Sequence, residues 1–341
     1  MIDRLRAYPM VVLLLPLVAA ILLFVTPPPR YAPRKAPNTM QERLYGRLVR
    51  AGLTGDELAT VGALTLGYKE DLDKELKHHF QASGAAHVLA VSGLHTGIIY
   101  ALLIGLFTLG GRYKPRHENQ VARWTISLLI ITVLGAYAWL TGMTPSVVRA
   151  VLMLSLVEIG RALYRNSFSI NTIASAAVLI LLVNPTDLWS VSFQLSFAAT
   201  TAIVLFANIQ HSLFRLQMLR SRVLRYFLGI VLVSVAAQLG TLPITMFYFK
   251  QVSTYFLLAN LLVLPIASLL VPCGLISICL GGSVVGVWFS KITWALAWAM
   301  NHSVGWIESL PGSTFPAQVN GLMVGIYYLL LGALYICVRK R

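Results

Sequence analysis

The run HVLAVSGLHTG, residues 87–97, sets His87, Ser92, His95 and Thr96 into the opening of a long apolar stretch. Ionisable groups are expensive inside a bilayer, so their presence there marks a candidate functional site. Gly93 stands among them, and a helix break at that glycine would free the amides from Ser92 to Leu94 to receive an anion or a phosphate. His87 and His95 lie eight residues apart, which is neither spacing of a helical metal pair, and no acidic residue stands near them in sequence. Ser92 lacks the flanking pattern of a nucleophile elbow. Further along, Arg149 either snorkels outward on its aliphatic stem or faces inward as a phosphate contact. Glu158, nine residues later, is too far for a direct bridge to it on one helix. Gln194, Gln238, Asn260, Asn301 and His302 are further polar groups in apolar runs. Singly such groups are interhelical glue; spread over many spans they describe a polar interior.

The elements that must position these residues are membrane helices. The 341 residues are 57% apolar and 11% charged, with a mean hydropathy of +0.74. A soluble domain carries about 25% charged residues, so no soluble fold accommodates this composition. The sequence predicts an all-α, polytopic integral membrane protein with about nine or ten transmembrane helices, some broken or re-entrant. Residues 1–25 read as an N-terminal signal anchor, because Arg4 and Arg6 precede the apolar stretch and FVTPPPR offers no cleavage site. Residues 26–86 read as a Pro-rich linker and two amphipathic helical patterns, near 38–52 and 55–81, the second closing on a solvated, mixed-charge face. Residues 87–341 read as the membrane-embedded domain, with spans near 88–110, 124–141, 146–163, 170–183, 188–207, 226–249, 253–281, 284–307 and 319–338. Gly93, Pro243, Pro265 and Pro272 are the expected breaks, with 253–281 divided by its prolines.

The net charge of +15 sets orientation more than it advertises nucleic acid. Arg112, Lys114, Arg116 and Arg123 fill one connection, Arg161 and Arg165 a second, and Arg215, Arg220, Arg222 and Arg225 a third. The alternate connections, TGMTP at 141–145 and NPTD at 184–187, hold no Lys or Arg. Both termini are therefore expected in the cytoplasm and loop 26–86 outside. Trp288, Trp294, Trp298 and Trp306, with Lys291, read as a lipid-facing aromatic stripe, and a base-stacking role is not required. Cys273, Cys279 and Cys337 read as small buried hydrophobes, with no metal or disulfide spacing.

HVLAVSGLHTGIIYALL resembles the signature of the ComEC competence family, and its lead-in LTLGYKEDLDKELKHHFQASGAA fits as well. TPSVVRAVLM, NPTDLWSVSFQLSFAAT and QLGTLPITMFYFKQVSTYFLLANLLVLPIASLLVP follow in that family's order, so the resemblance covers roughly residues 40–300. It implies a bacterial inner-membrane channel that passes single-stranded DNA into the cytoplasm during natural transformation. His87, Ser92, Gly93, His95, Arg149, Gln194, Gln238 and Asn260 then become candidates for the strand's route. The implied partners are single-stranded DNA, membrane lipids, separate DNA-receptor and cytoplasmic motor proteins, and further copies in a homo-oligomer. No catalytic residue, metal or cofactor is expected, and with no P-loop in the chain the energy must come from elsewhere. Long family members add an outward OB-like domain and a metallo-β-lactamase-like domain. Residues 26–40 have no room for the first, and the HxHxDH-type motif of the second is absent, so a core without either is expected. The alternatives are a transporter of a small or lipidic substrate on the same core and a membrane-embedded hydrolase using His87, Ser92 and His95.

Overall fold

The computed structural model describes residues 39–89, 91–109, 120–163, 170–213, 221–281 and 283–339. The expected anchor, the Pro-rich linker and the arginine-bearing stretches at 110–119, 164–169 and 214–220 lie outside the described residues. The chain forms two compact units, one of residues 33–167 and 262–311, the other of 168–261 and 312–341.

In the first unit the helices are α1 (Thr39–Arg50), α2 (Gly55–Leu66), α3 (Lys74–Ala82), α4 (Ala86–Leu89), α5 (Gly93–Leu109), α6 (Gln120–Leu140) and α7 (Pro145–Ala162). The second unit begins with α8 (Ile170–Val183), a 3₁₀ turn (Pro185–Trp189), α9 (Val191–Leu213), α10 (Arg222–Phe249) and β1 (Gln251–Ser253). Helix α11 (Phe256–Cys279) starts in the second unit and continues in the first, which also holds α12 (Val284–Ser309). Strand β2 (Thr314–Pro316) and α13 (Gly321–Arg339) complete the second unit.

Among the described residues, three helices are long and apolar enough to cross a membrane: Gln120–Leu140, Val223–Phe249 and Phe256–Cys279. Four shorter apolar helices accompany them, at Gly93–Phe107, Ile170–Val183, Val191–Ala207 and Gly321–Tyr335. Large apolar side chains stand exposed along α6, α10, α12 and α13, among them Leu128, Val223, Trp288, Leu329 and Leu330. Contiguous apolar surface on this scale belongs against lipid. The four tryptophans of α12 are all exposed, as a lipid-facing stripe requires.

The hydrophilic segment folds differently from its pattern. The stretch 55–81, read as one amphipathic run, is two helices, because Gly67 ends α2 in the left-handed region at φ 72°. A Cβ there would sit 3.2 Å from the Thr141 carbonyl oxygen, so glycine serves both the conformation and the close approach. Helix α2 is not amphipathic: every residue from Leu58 to Leu66 is buried. Together the segment runs along α12. Ser290 donates to the Ala51 carbonyl (2.8 Å), Thr60 donates to Asn301 Oδ1 (2.8 Å), and His79 meets Glu308 (3.1 Å). Helices α1 and α3 keep the solvated faces their patterns predict: Glu42, Arg43, Arg47 and Arg50 stand exposed on α1 with Leu44 and Leu48 inward, and α3 turns Leu76 and Phe80 inward with Asp73 as its N-cap.

The prolines do not break their helices. Helix α10 passes through Pro243, and α11 passes through both Pro265 and Pro272. A proline at 243 cannot donate to the Leu239 carbonyl. Tyr327 of α13 takes up that deficit by donating to the Leu239 oxygen (2.9 Å), and Tyr328 adds a bond to the neighbouring Gly240 oxygen (2.7 Å). In α11, Ser268 and Ser277 add bonds to the Pro265 and Cys273 carbonyls at 2.7 and 2.8 Å. A hydroxyl set on a carbonyl that proline leaves without its amide donor, as Tyr327 is on Leu239, is one way membrane helices tolerate proline; the two serines serve other carbonyls. A short antiparallel ribbon pairs Gln251 with Pro316 and Ser253 with Thr314, the one sheet among the described residues.

Helices α9 and α10 meet through small residues. A Cβ on Gly240 would lie 2.6 Å from Ala202 Cβ and 2.7 Å from the Ala198 carbonyl oxygen. Helices in hydrocarbon gain little from apolar burial, so such contact surfaces carry the association. Gly240→Leu is expected to lower the thermal midpoint of the detergent-purified protein, by the equivalent of about 1–3 kcal/mol. An unchanged midpoint would mean that the α9–α10 contact is not close-packed.

Candidate functional site

Val91 and Ser92 leave the helical path between α4 and α5, and Gly93 is the first helical residue. Ser92 therefore sits at the N-cap. Its hydroxyl accepts from the Leu94 amide (3.2 Å), and its own amide donates to His95 Nδ1 (3.0 Å). This is a reciprocal capping box with histidine where glutamate or glutamine usually stands. The amides of Ser92 and Leu94, expected to be open to an anion, are thus spent on the cap. The Ser92 hydroxyl lies 3.3 Å from His95 Nδ1, but that lone pair already accepts the Ser92 amide. His95 is fully buried. With Nδ1 accepting, the neutral ring carries its proton on Nε2, which has no hydrogen-bond partner among the described residues.

Helix α7 holds this cap in place. Ser146 donates to the Val91 carbonyl at 2.7 Å, and a Cβ on Gly93 would rest 3.6 Å from Ala150 Cβ. Val91 and Val147 lie in one core with Ile99, Ile130, Leu134 and Tyr137. Arg149, adjacent in sequence to Ala150, is 3% exposed and so faces inward rather than snorkelling. Two further hydroxyls in this region, Tyr137 and Thr144, are buried without a partner among the described residues. The structure thus brings Ser92, Gly93 and His95 together and sets the Arg149 turn of α7 beside them.

A second polar centre was not assigned from the sequence. Glu158 is fully buried in α7. Its carboxylate accepts from Tyr100 of α5 (2.5 Å), Ser127 of α6 (3.1 Å) and Arg161 (3.1 Å). Arg161 also donates to the Tyr100 hydroxyl at 3.1 Å. Arg123, counted above among loop charges, is a buried residue of α6 that donates to the Ala162 carbonyl and, at 3.2 Å, to the Arg161 carbonyl. It caps the C-terminus of α7, where a cation complements the helix dipole. Arg161 likewise belongs to α7 and not to a free connection. The i,i+3 pair Glu158–Arg161 inside an apolar span was the sequence signal for this centre.

The remaining candidates belong to other elements. His87 is exposed on α4, its ring nitrogen 3.2 Å from the Gly84 carbonyl. Gln194, Gln238 and Asn260 belong to the second unit. Gln194 donates to the Leu188 carbonyl (3.0 Å) and so ties α9 to the 3₁₀ turn before it. Gln238 is half-buried in α10, and Asn260 is buried with Oδ1 unpartnered among the described residues. Asn301 is engaged by Thr60, and His302 is exposed and stacked on Trp298. Of the cysteines, Cys273 is half-buried while Cys279 and Cys337 are exposed, so the latter two are not core residues.

Residues 64–341, the SGLH cap and the α7 site included, match the family model for the competence protein. The chain belongs to the competence protein family. It is 31% identical over 251 residues to ComE operon protein 3 of Bacillus subtilis, covering 72% of this chain and 30% of that protein. It is 26% identical over 284 residues to Recombination protein 2 of Haemophilus influenzae, covering 80% of this chain and 35% of that one. A 27% identity over 264 residues links it to the uncharacterized protein YcaI of Escherichia coli, over 73% of this chain and 34% of YcaI. The chain spans about a third of the length of these relatives. No solved structure matches it.

Removing the Glu158 carboxylate leaves the Tyr100, Ser127 and Arg161 donors facing one another. Glu158→Ala is expected to destabilise the protein by about 3 kcal/mol or more in denaturing-detergent titrations. A loss below ~1 kcal/mol would show that the centre is hydrated and not structural.

Proposed function

We propose that this competence-family membrane protein passes single-stranded DNA across the bacterial inner membrane, its helices spanning the bilayer about nine or ten times with both termini in the cytoplasm. The observation that carries the reading is the pairing of a fully buried His95, whose Nε2 has no partner among the described residues, with an inward-facing Arg149 at the α5–α7 contact. A buried donor without a partner is costly in an apolar bundle unless something anionic or wet engages it. A nucleic-acid backbone offers one phosphate per nucleotide and requires a continuous polar route through hydrocarbon.

In this reading His95 donates from Nε2, Arg149 supplies the charge, and the Ser92 cap fixes the ring that presents the donor. His87 stands exposed just before that cap, and Gln194, Gln238 and Asn260 are polar positions of the second unit that the same strand would use. The protein acts as a conduit and performs no bond cleavage. DNA-receptor and motor proteins, and further copies of the chain, are its expected partners, because nothing in the chain hydrolyses a nucleotide by a P-loop.

The test is uptake of labelled single-stranded DNA by proteoliposomes holding the purified protein, with Arg149→Ala and His95→Ala compared at equal incorporation. Each variant should slow uptake by about 10-fold or more, the worth of a charge-assisted contact. Uptake at the original rate in both variants would refute the proposed route.

A further inference from the structure

The sequence reading named no metal ligands, yet the packing of α3 against the end of α12 gathers three ligating side chains. His78 Nδ1 lies 3.4 Å from Glu308 Oε1, and His79 Nδ1 lies 3.1 Å from Glu308 Oε2. Ligand atoms of the three residues fall within 4.8 Å of one another. Two neighbouring histidines on a helix ordinarily diverge; here the Glu308 carboxylate stands between them and each of its oxygens faces one ring. None of the three serves the site at the start of α5.

We propose that His78, His79 and Glu308 form a binding site for a borderline divalent cation of the zinc class. Imidazole and carboxylate together suit zinc, copper or nickel, whereas calcium and magnesium take oxygen ligands alone. The spacing fits. Ligands held at about 2.0–2.1 Å in a tetrahedron stand about 3.4 Å apart, close to the two nitrogen–oxygen distances observed. Two histidines and one carboxylate leave a fourth position for water. The site is reachable from solution: the His78 side chain is 67% exposed, and those of His79 and Glu308 are about a quarter exposed. Its outer shell is also present. The other ring nitrogen of His79, Nε2, faces Glu75 Oε1 at 3.8 Å on the next turn of α3. A carboxylate behind a ligating histidine is the usual means of fixing ring orientation and tautomer.

The site has a structural consequence. Phe80 and Leu76 bury one face of α3, but its polar face is held to α12 by the His78, His79 and Glu308 contacts. A cation bound there would clamp α3 to the end of α12, just ahead of the α4–α5 turn that carries the Ser92 cap. It would do so without touching DNA, so the site stands or falls independently of the proposed transport.

The experiment is zinc titration of the untagged, detergent-purified full chain by calorimetry, with bound metal counted by elemental analysis. One equivalent should bind with micromolar or tighter affinity, and the thermal midpoint should rise with zinc concentration. His79→Ala and Glu308→Gln should each weaken binding more than about 100-fold, beyond the 10–100-fold typical of groups that only orient a ligand. Glu75→Gln should stay within that lesser range. Should a variant fail to fold, the unsubstituted chain still decides the matter. Zinc must then protect His78 and His79, but not His302, from carbethoxylation read by mass spectrometry. No stoichiometric binding, binding unaltered in His79→Ala and Glu308→Gln, or equal carbethoxylation with and without zinc would overturn the site and leave simple histidine–glutamate ion pairs.

Discussion

A carboxylate shut inside an apolar bundle must be neutralised or bonded on every side, and the arrangement of the first unit follows from how Glu158 meets that demand. Transferring such a group out of water costs several kcal/mol even after relaxation. Its oxygens are met from three helices: Tyr100 of α5, Ser127 of α6 and Arg161 of α7 itself. Arg123 then fastens α6 to the last carbonyls of α7. Each bond fixes the axial register of one helix against another, since a shift of one turn moves a donor by 5.4 Å and empties its place. With that register set, Ser146 reaches the Val91 carbonyl and the start of α5 lies against Ala150, beside Arg149.

The same economy of polar ties governs the rest of the fold. Lipid tails are as apolar as leucine, so helices in a bilayer associate through close contact and hydrogen bonds. Gly240 admits α9 to the backbone of α10, and Gly274 admits α2 to α11, where a Cβ would stand 2.7 Å from Thr65 Cγ2. Tyr327 of α13 reaches the carbonyl that Pro243 leaves without its amide donor, and Tyr328 bonds the next one. His95 Nε2 and the Tyr137 and Thr144 hydroxyls are among the buried polar groups that have no partner among the described residues.

Much of this was legible in the sequence, and the failures have physical causes. Helices α6 to α8 fall within a few residues of their expected bounds because long apolar runs carry their own length. The break at Ser92–Gly93 was visible as a glycine, but its purpose was not. SGLH is a capping box only when histidine is allowed at the position glutamate usually takes, so its amides looked open when they are not. Pro243 of α10 was misread as a break because its compensating hydroxyl comes from Tyr327 of α13, some 80 residues away in sequence. Helix α2 was misread because Thr60, Gly62 and Thr65 look polar or flexible, while their real partners, Asn301 of α12, Tyr45 of α1 and the helix's own carbonyls, are tertiary or local and carry no period. His78, His79 and Glu308 could not be joined at all without the fold, since about 230 residues separate them.

Membership of the competence family supplies the membrane setting, and the buried polar groups of α5 and α7 are the basis of the proposed route. The account's central claim is that this route is wet and that single-stranded DNA occupies it. The most direct measurement is thiol accessibility in a chain freed of Cys273, Cys279 and Cys337, with a cysteine placed at Ser92, Thr144 or the lipid-facing Leu128. The account predicts that a membrane-impermeant thiol reagent labels positions 92 and 144 but not 128, and that single-stranded DNA slows the first two reactions. Silence at positions 92 and 144, or labelling indifferent to DNA, would contradict it.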